Sequence, residues 1–345
     1  MLREILKFFG GRTFNCFLID AVTACQLKCV MCPRTAFINE LGKRDNMSLE
    51  TYKKIARYFS HTEFVYFTGW EGEPLLHNDI FTMIEIAKAF CSVGIVTNGM
   101  SLTEETSRSL IEAGLDFITV SMAGATKETH ERIRVGSDFD KICENVGTFS
   151  ALKRDFKTTK PEVNLSFLMT KGNIGELPLF IKLAKDLRAD RVTAPNLSYI
   201  ATPIHDEMKA FSCGAIDESF LKKIKEAEDR ARELKIDFRA YPLVMEEVSV
   251  CEENPLANIY ISSDGYVSPC VYLNFPMQNI PRIFCGKNYI VKRTCFGNIA
   301  EEDLFDIWNK EEYEEFRQKY RKMAELQKEA PLPEVCKTCY RAYGI

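Results

Sequence analysis

The sequence is poor in histidine and has no long apolar run. Its four histidines, at positions 61, 77, 130 and 205, do not lie at ligand spacing to one another. No apolar run approaches the ~20 residues needed to cross a bilayer. Residues 1–11 are too few and too charged for a signal peptide. We therefore expect a cytoplasmic protein with no membrane partner.

An excess of basic residues is also missing. The chain has 45 Lys and Arg against 49 Asp and Glu, and its net charge is −4. A nucleic-acid groove would require a basic excess, so we expect no nucleic-acid partner. With 345 residues, 46% of them hydrophobic and 27% charged, the chain has the composition of a globular protein of about two domains.

Cysteine, by contrast, is abundant, with 13 residues. Disulfides are not expected in a reducing compartment, so clustered cysteines are interpreted as metal ligands. Cys25, Cys29 and Cys32 follow an apolar run at residues 14–22, which predicts a buried strand. Three thiolates at this spacing can hold three irons of a [4Fe–4S] cluster and leave the fourth open. Zinc would need a fourth ligand nearby, and packing thiols would be scattered.

This C-x3-C-x2-C triplet resembles the signature of the radical SAM superfamily. The resemblance implies a [4Fe–4S] cluster on Cys25, Cys29 and Cys32, completed by the amino and carboxylate groups of S-adenosylmethionine. The family usually has an aromatic residue before the third cysteine. Met31 occupies that position here, and as an apolar, polarizable side chain it is expected to contact the adenine.

Short apolar segments alternate with helical segments between residues 14 and 194. Six strand–helix units of this kind predict a parallel sheet with right-handed crossovers. The prediction is an α/β fold, the partial (β/α)6 TIM barrel that the resemblance also implies. We expect it over residues 1–240, followed by a small iron–sulfur domain over 241–345.

Ligands of such folds bind at the carboxyl ends of the strands. By resemblance, the turn at residues 69–74 matches the family's Gly-Gly-Glu-Pro-like turn, which binds the methionine amino group, although Trp70-Glu71 lengthens it. A carboxylate and an arginine suit the ammonium and carboxylate of the cofactor, and Arg132 is the alternative to Arg134. Asn173 is a weaker candidate for the adenosine side. The residues that the resemblance assigns to S-adenosylmethionine are Met31, Gly72, Glu73, Asn98, Ser121, Arg134 and Ser166.

A second cysteine group lies near the end of the chain. Cys251 and Cys270 flank a predicted hairpin, and Cys336 and Cys339 form a C-x2-C pair. Four thiolates suit either zinc or a fully ligated [4Fe–4S] cluster. The spacing resembles a SPASM-type extension in its shortened twitch form, which implies one auxiliary [4Fe–4S] cluster. The other cysteines are interpreted as packing thiols, namely Cys16, Cys91, Cys143, Cys213, Cys285 and Cys295.

The resemblance implies reductive cleavage of S-adenosylmethionine to a 5′-deoxyadenosyl radical, hydrogen abstraction from a substrate, and oxidation through the auxiliary cluster. The pattern is similar to branches that modify a peptide or mature a tungsten-enzyme cofactor. We expect a peptide or small-molecule substrate and a ferredoxin- or flavodoxin-type electron donor. The alternatives are a twitch-type dehydrogenase of a small alcohol or aminocyclitol, and a non-catalytic iron–sulfur electron carrier or scaffold. Residues 195–216 are expected to form a lid or substrate loop, and no catalytic acid or base is predicted.

Overall fold

The parallel sheet predicted from the alternating pattern is present in the computed structural model. The structure describes residues 12–42, 44–326 and 331–345, and residues 1–11, which are not expected to be a signal peptide, lie outside them. Each consecutive strand pairs in parallel with the next. The seven strands are β1 (Phe14–Ile19), β2 (Thr62–Phe67), β3 (Ser92–Thr97), β4 (Phe117–Met122), β5 (Glu162–Phe167), β6 (Arg191–Ala194) and β7 (Asp237–Ala240).

Helices connect these strands, and several begin where the sequence places a capping side chain. The hydroxyl groups of Ser48 and Thr103 accept hydrogen bonds from the backbone three residues later. The helices are α1 (Pro33–Ala36), α2 (Ile38–Leu41), α3 (Leu49–Ala56), α4 (Ile80–Lys88), α5 (Glu104–Glu112), α6 (Lys127–Ile133), α7 (Phe139–Asp155), α8 (Leu177–Asp186), α9 (Pro203–Met208), α10 (Glu218–Leu234), α11 (Leu304–Trp308) and α12 (Glu311–Glu325).

The barrel core lies between the sheet and these helices. Side chains that point into it, such as Val65, Ile95 and Ile118, are fully buried. Burying an aliphatic side chain of this size contributes roughly 1.5–3 kcal/mol. This core holds the carboxyl ends of the strands in place, and those ends carry the predicted site residues.

The C-terminal segment continues the same sheet. Strand β8 (Asn258–Ile261) pairs in parallel with β1, and β9 (Tyr266–Ser268) and β12 (Gly297–Asn298) follow antiparallel beyond it. Strands β10 (Asn279–Phe284) and β11 (Lys287–Lys292) form a separate two-stranded sheet. The predicted hairpin is confirmed as β8–β9. Strands from before and after residue 241 therefore belong to one sheet. The domain boundary at this residue stays a prediction.

Among the residues that the structure describes, no helix is long and apolar enough to cross a membrane.

Candidate active site

The cysteine loop leaves β1 at its carboxyl end and ends at α1, where Cys32 is the N-terminal flanking residue. Two donors point to the sulfur of Cys25: the backbone N–H of Leu27 at 3.5 Å and the Asn98 side-chain amide at 3.8 Å. Burial raises the pKa of Cys29 to about 11. This sulfur is therefore a protonated thiol in the absence of a metal, and binding a metal would displace its proton.

The three cysteines line one cavity of about 270 Å³. Six of the seven residues predicted to bind S-adenosylmethionine line it with them. Ser166 is not among the lining residues, although its Cα is the register partner of Ser121 on the neighbouring strand. The six that the structure brings together here are Met31, Gly72, Glu73, Asn98, Ser121 and Arg134.

Gly72 is where the turn after β2 meets the cysteine loop. A Cβ atom at this position would lie 2.5 Å from the carbonyl oxygen of Val22 and 2.6 Å from that of Ala24. The next residue, Glu73, donates its backbone N–H to Ala24 at 2.8 Å. Only glycine allows this close approach, so the lengthened turn is still held against the cluster loop.

The carboxylate of Glu73 joins the ends of two strands. It accepts hydrogen bonds from the Thr97 hydroxyl at 2.7 Å and from the backbone N–H of Asn98 at 2.7 Å. Burial raises the pKa of Glu73, and these hydrogen bonds act in the opposite direction. Oε1 also accepts from the backbone N–H of Leu75 at 3.2 Å, whereas Oε2 has a second acceptor position left for a ligand ammonium.

Arg134 lies beside the cysteine loop because two backbone hydrogen bonds pair their segments. Lys28 donates to Val135 at 2.8 Å, and Val30 donates to Ile133 at 3.0 Å. The Nε of Arg134 is buried, and no described residue accepts a hydrogen bond from it. The competing candidate, Arg132, is exposed and does not line the cavity. The geometry favours Arg134 as the group that binds an anionic ligand atom.

The other half of the cavity was not identified from the sequence. It is lined by Trp70, Asn196, Ser198, Tyr199 and Tyr272, together with two leucines. Asn196, Ser198 and Tyr199 come from the connection that was expected to form a lid or substrate loop, and Trp70 is one of the two residues that lengthen the turn. The lengthened turn was the one sequence feature that pointed to this half of the cavity. Trp70 meets Tyr199 and Tyr272 through contacts between residues more than a hundred positions apart, which the sequence does not reveal.

Behind Trp70 lies a buried acidic pair, Asp20 and Glu71. Asp20 accepts hydrogen bonds from the backbone N–H of Trp70 at 3.2 Å and from the Tyr260 hydroxyl at 2.7 Å. Glu71 accepts from the same hydroxyl at 3.1 Å and forms a 2.5 Å ion pair with Arg44. Burial, reinforced by the nearby Glu71, raises the pKa of Asp20. This network fixes the turn that carries Trp70.

The four C-terminal cysteines line a second, small enclosed cavity. Burial raises the pKa of Cys251 and of Cys336 to about 12, so both are protonated thiols in the absence of a metal, and binding a metal would displace their protons. In the described part of the chain, no three His, Cys, Asp or Glu side chains converge closely enough to hold a single metal ion. Arg282, Arg341 and Glu253 also line this cavity, and Glu253 forms a 3.3 Å ion pair with Arg341. Arg282, which is 4% exposed, adds positive charge that favours an anionic thiolate cluster.

Two of the expected packing thiols are not free. Cys213 and Cys285 form a disulfide, so both the assignment as thiols and the expectation of no disulfides were wrong for this pair. The bond joins the segment after α9 to the turn between β10 and β11. The two residues are separated by 72 positions, and only the tertiary fold brings them together. Cys295 remains a free, half-buried thiol.

Comparison with known families accounts for both cysteine groups. Residues 20–164 match the model of the radical SAM superfamily, and residues 251–340 match the SPASM model, described as an iron–sulfur cluster-binding domain. The chain is a radical SAM protein with a SPASM domain. Its cofactors are therefore S-adenosylmethionine, the [4Fe–4S] cluster that binds it and an auxiliary [4Fe–4S] cluster. The two sets of free cysteines and the unpaired Nε of Arg134 fit these groups.

Relatives of this radical SAM protein cover most of its length. It is 28% identical over 308 residues to the tungsten-containing aldehyde ferredoxin oxidoreductase cofactor-modifying protein of Pyrococcus furiosus, covering 87% of this chain and 82% of that protein. It is 33% identical over 181 residues to the GTP 3′,8-cyclase of Chlorobaculum tepidum, covering 51% of this chain and 52% of the cyclase.

Among solved structures, SuiB of Streptococcus suis bound to S-adenosylmethionine superimposes with a TM-score of 0.66. The identity is 16%, and the match covers 99% of this chain and 75% of SuiB. At this identity the likeness concerns the fold. It confirms the predicted partial barrel with a C-terminal SPASM domain.

Proposed function

We propose that the protein is a maturase that cleaves S-adenosylmethionine reductively and removes hydrogen from a peptide or from a cofactor precursor. The bound cluster and cofactor supply the 5′-deoxyadenosyl radical. The chain's own residues bind the cofactor, exclude water and orient the substrate. The assigned contacts are Glu73 with the ammonium and Arg134 with the carboxylate. Asn98 and Ser121 would contact the rest of the cofactor and Met31 the adenine, whereas Ser166 lies outside the cavity lining.

One observation carries this proposal. Tyr272 lines the cavity that contains Cys25, Cys29 and Cys32, and it also lines the cavity of the four C-terminal cysteines. A substrate held against Tyr272 in the first cavity would therefore lie beside the second cluster site. This position supports an oxidation in which the substrate radical gives up an electron to the auxiliary cluster.

The charge of the cavity favours a maturase over the alternatives. Apart from the cysteines, Glu73 and Arg134 are the charged side chains among the described residues that line it. A triphosphate such as that of GTP requires several cations, and an aminocyclitol ammonium requires a carboxylate that is not already engaged. The triphosphate and the aminocyclitol are therefore both poorly matched by the half of the cavity that Trp70 and Tyr272 line. A peptide segment or a neutral cofactor precursor fits it better.

The relatives agree with this choice. The Pyrococcus furiosus protein is named for modifying a cofactor, and SuiB has also been solved with its precursor peptide SuiA. A ferredoxin- or flavodoxin-type donor would reduce the first cluster, and the cytoplasm is the compartment that we propose.

Iron counting and S-adenosylmethionine cleavage test the proposal together. The protein would be purified and reconstituted without oxygen, and about 8 irons per chain are expected for two four-iron clusters. Changing Cys336 and Cys339 to alanine should remove about half of the iron. Under strong reduction the intact protein should release 5′-deoxyadenosine. If both clusters form and no 5′-deoxyadenosine appears, the protein is an electron carrier and the proposal fails.

A further inference from the structure

The half of the cavity away from the cysteine loop has aromatic walls. The ring of Trp70 packs edge to face with Tyr199 at 5.3 Å and with Tyr272 at 5.1 Å between centroids. Phe275 lies behind them, 6.2 Å from both Trp70 and Tyr199. Such walls present flat apolar faces and ring edges to whatever occupies the space.

A hydrogen bond holds each of the three polar aromatic residues, Trp70, Tyr199 and Tyr272. The backbone N–H of Trp70 donates to Asp20, and the Tyr199 hydroxyl donates to the carbonyl of Pro281 at 3.1 Å. The hydroxyl groups of Tyr272 and Ser198 lie 2.9 Å apart. Rings that are fixed before a ligand arrives lose little entropy on binding. The arrangement is typical of a preformed binding site rather than of a closing lid.

A buried acceptor lies on the same wall. Asn196 is 4% exposed and donates its side-chain amide to the carbonyl of Pro242 at 2.8 Å. Its Oδ1 has no hydrogen-bond partner among the described residues, and neither has the Nε1 of Trp70. An unpaired buried acceptor is unfavourable because it has lost its hydration without gaining a partner, so a ligand that donates to Asn196 would remove that penalty.

The wall contains no charged side chain. Glu73 and Arg134, the charged residues of the cavity, belong to the half that contains the cysteine loop. A charged group placed against Trp70 and Tyr272 would therefore lose its hydration without gaining a partner. The chemistry of the wall selects an uncharged ligand.

We propose that Trp70, Tyr199 and Tyr272 form a recognition site for an uncharged, planar heteroaromatic group with an N–H donor, which Asn196 accepts. The inference rests on the proposed function, because it names the chemical class of the group presented to the radical. The indole of a tryptophan in a peptide has this chemistry, and so has a free bicyclic heterocycle with a ring N–H.

Equilibrium dialysis against the reconstituted protein loaded with S-adenosylmethionine tests this site without turnover. The probes are N-acetyl-L-tryptophanamide for the peptide source and quinazolin-4-one for the free heterocycle. N-acetyl-cyclohexylalaninamide serves as a saturated, non-planar control. We expect at least one planar probe to bind and the saturated amide to bind at least fivefold more weakly. Which planar probe binds distinguishes the two sources.

Variants assign the binding to the wall. Trp70→Leu and Tyr272→Leu should each lower the affinity for the planar probe roughly fivefold, which is the effect of losing one aromatic contact. Asn196→Leu should also lower this affinity. Tyr289→Leu is the matched control, since Tyr289 is 38% exposed on β11 and does not line the cavity. It should bind within twofold of the unmodified protein.

Three results would overturn the inference: no planar probe binds, the saturated amide binds as well, or the wall variants bind as the control does. Iron content, circular dichroism and S-adenosylmethionine cleavage are measured on the same preparations. If the unmodified protein cleaves S-adenosylmethionine but binds neither planar probe, this inference alone is rejected. Loss of cleavage in the unmodified protein rejects the proposed function instead.

Discussion

The unpaired guanidinium of Arg134 allows a direct test of the cofactor site. Its Nε is buried without a partner among the described residues, and its segment is held against the cysteine loop by backbone hydrogen bonds of 2.8 and 3.0 Å. A hydrogen bond between charged groups contributes about 1.5–3 kcal/mol. Because Arg134 is partly exposed, we expect a value in the lower part of this range. Arg134→Met should therefore reduce the binding free energy of S-adenosylmethionine by about 2 kcal/mol, which is a ~30-fold weaker affinity.

The assay is equilibrium binding of S-adenosylmethionine to the anaerobically reconstituted variants, with iron counted in each. Arg132→Met is the matched control, because Arg132 is exposed and its guanidinium donates a long, 3.4 Å hydrogen bond to the carbonyl of Gly172. We expect it to bind within twofold of the unmodified protein. Arg134→Lys should be intermediate, since an ammonium cannot form the two parallel bonds of a guanidinium. Full affinity in Arg134→Met, or an equal loss in Arg132→Met, would refute the assignment.

Three further predictions concern the support of the site. In Gly72→Ala, the new methyl group would lie 2.5 Å from a carbonyl of the cysteine loop, so S-adenosylmethionine affinity should fall at least tenfold. Gly147→Ala, with open space around it, should leave affinity unchanged. Burial and a neighbouring carboxylate raise the pKa of Asp20, so its contribution to stability is present below pH ~4 and is lost as pH rises through the folded pKa. From pH 5 to 8, the unmodified protein should therefore lose at least ~1 kcal/mol of stability relative to Asp20→Asn in thermal unfolding, and parallel curves would contradict this. Reduction of the Cys213–Cys285 disulfide should lower the melting temperature by an amount equivalent to as much as ~4 kcal/mol, and the double alanine variant should not respond to the reductant.

Local patterns in the sequence determined the architecture of the barrel. Short apolar runs predict the buried strands of a parallel sheet, and Ser48 and Thr103 mark helix starts because a side-chain oxygen caps the adjacent backbone. These are interactions within a few residues, so they can be recognised before any tertiary contact is known. The seventh strand, β7, lies beyond the six predicted strand–helix units, and its place beside β6 depends on packing.

The chemistry of the cofactor site was also present in short motifs. Cys25, Cys29 and Cys32 are close in sequence because one loop must supply three ligands to one cluster. Gly72 and Glu73 could be singled out because a turn after a strand must lie at the carboxyl edge of the sheet.

The tertiary structure alone decided the rest. It distinguishes Arg134 from Arg132, since only one of two neighbouring side chains can lie along the cavity. It unites Trp70, Tyr199 and Tyr272 in one wall, and it joins Cys213 to Cys285. The three rings and the two cysteines are separated by tens to hundreds of positions, so interactions within a few residues could not predict these contacts. Contacts of this kind form when apolar surface is buried across the whole chain, so they belong to the fold rather than to any single motif.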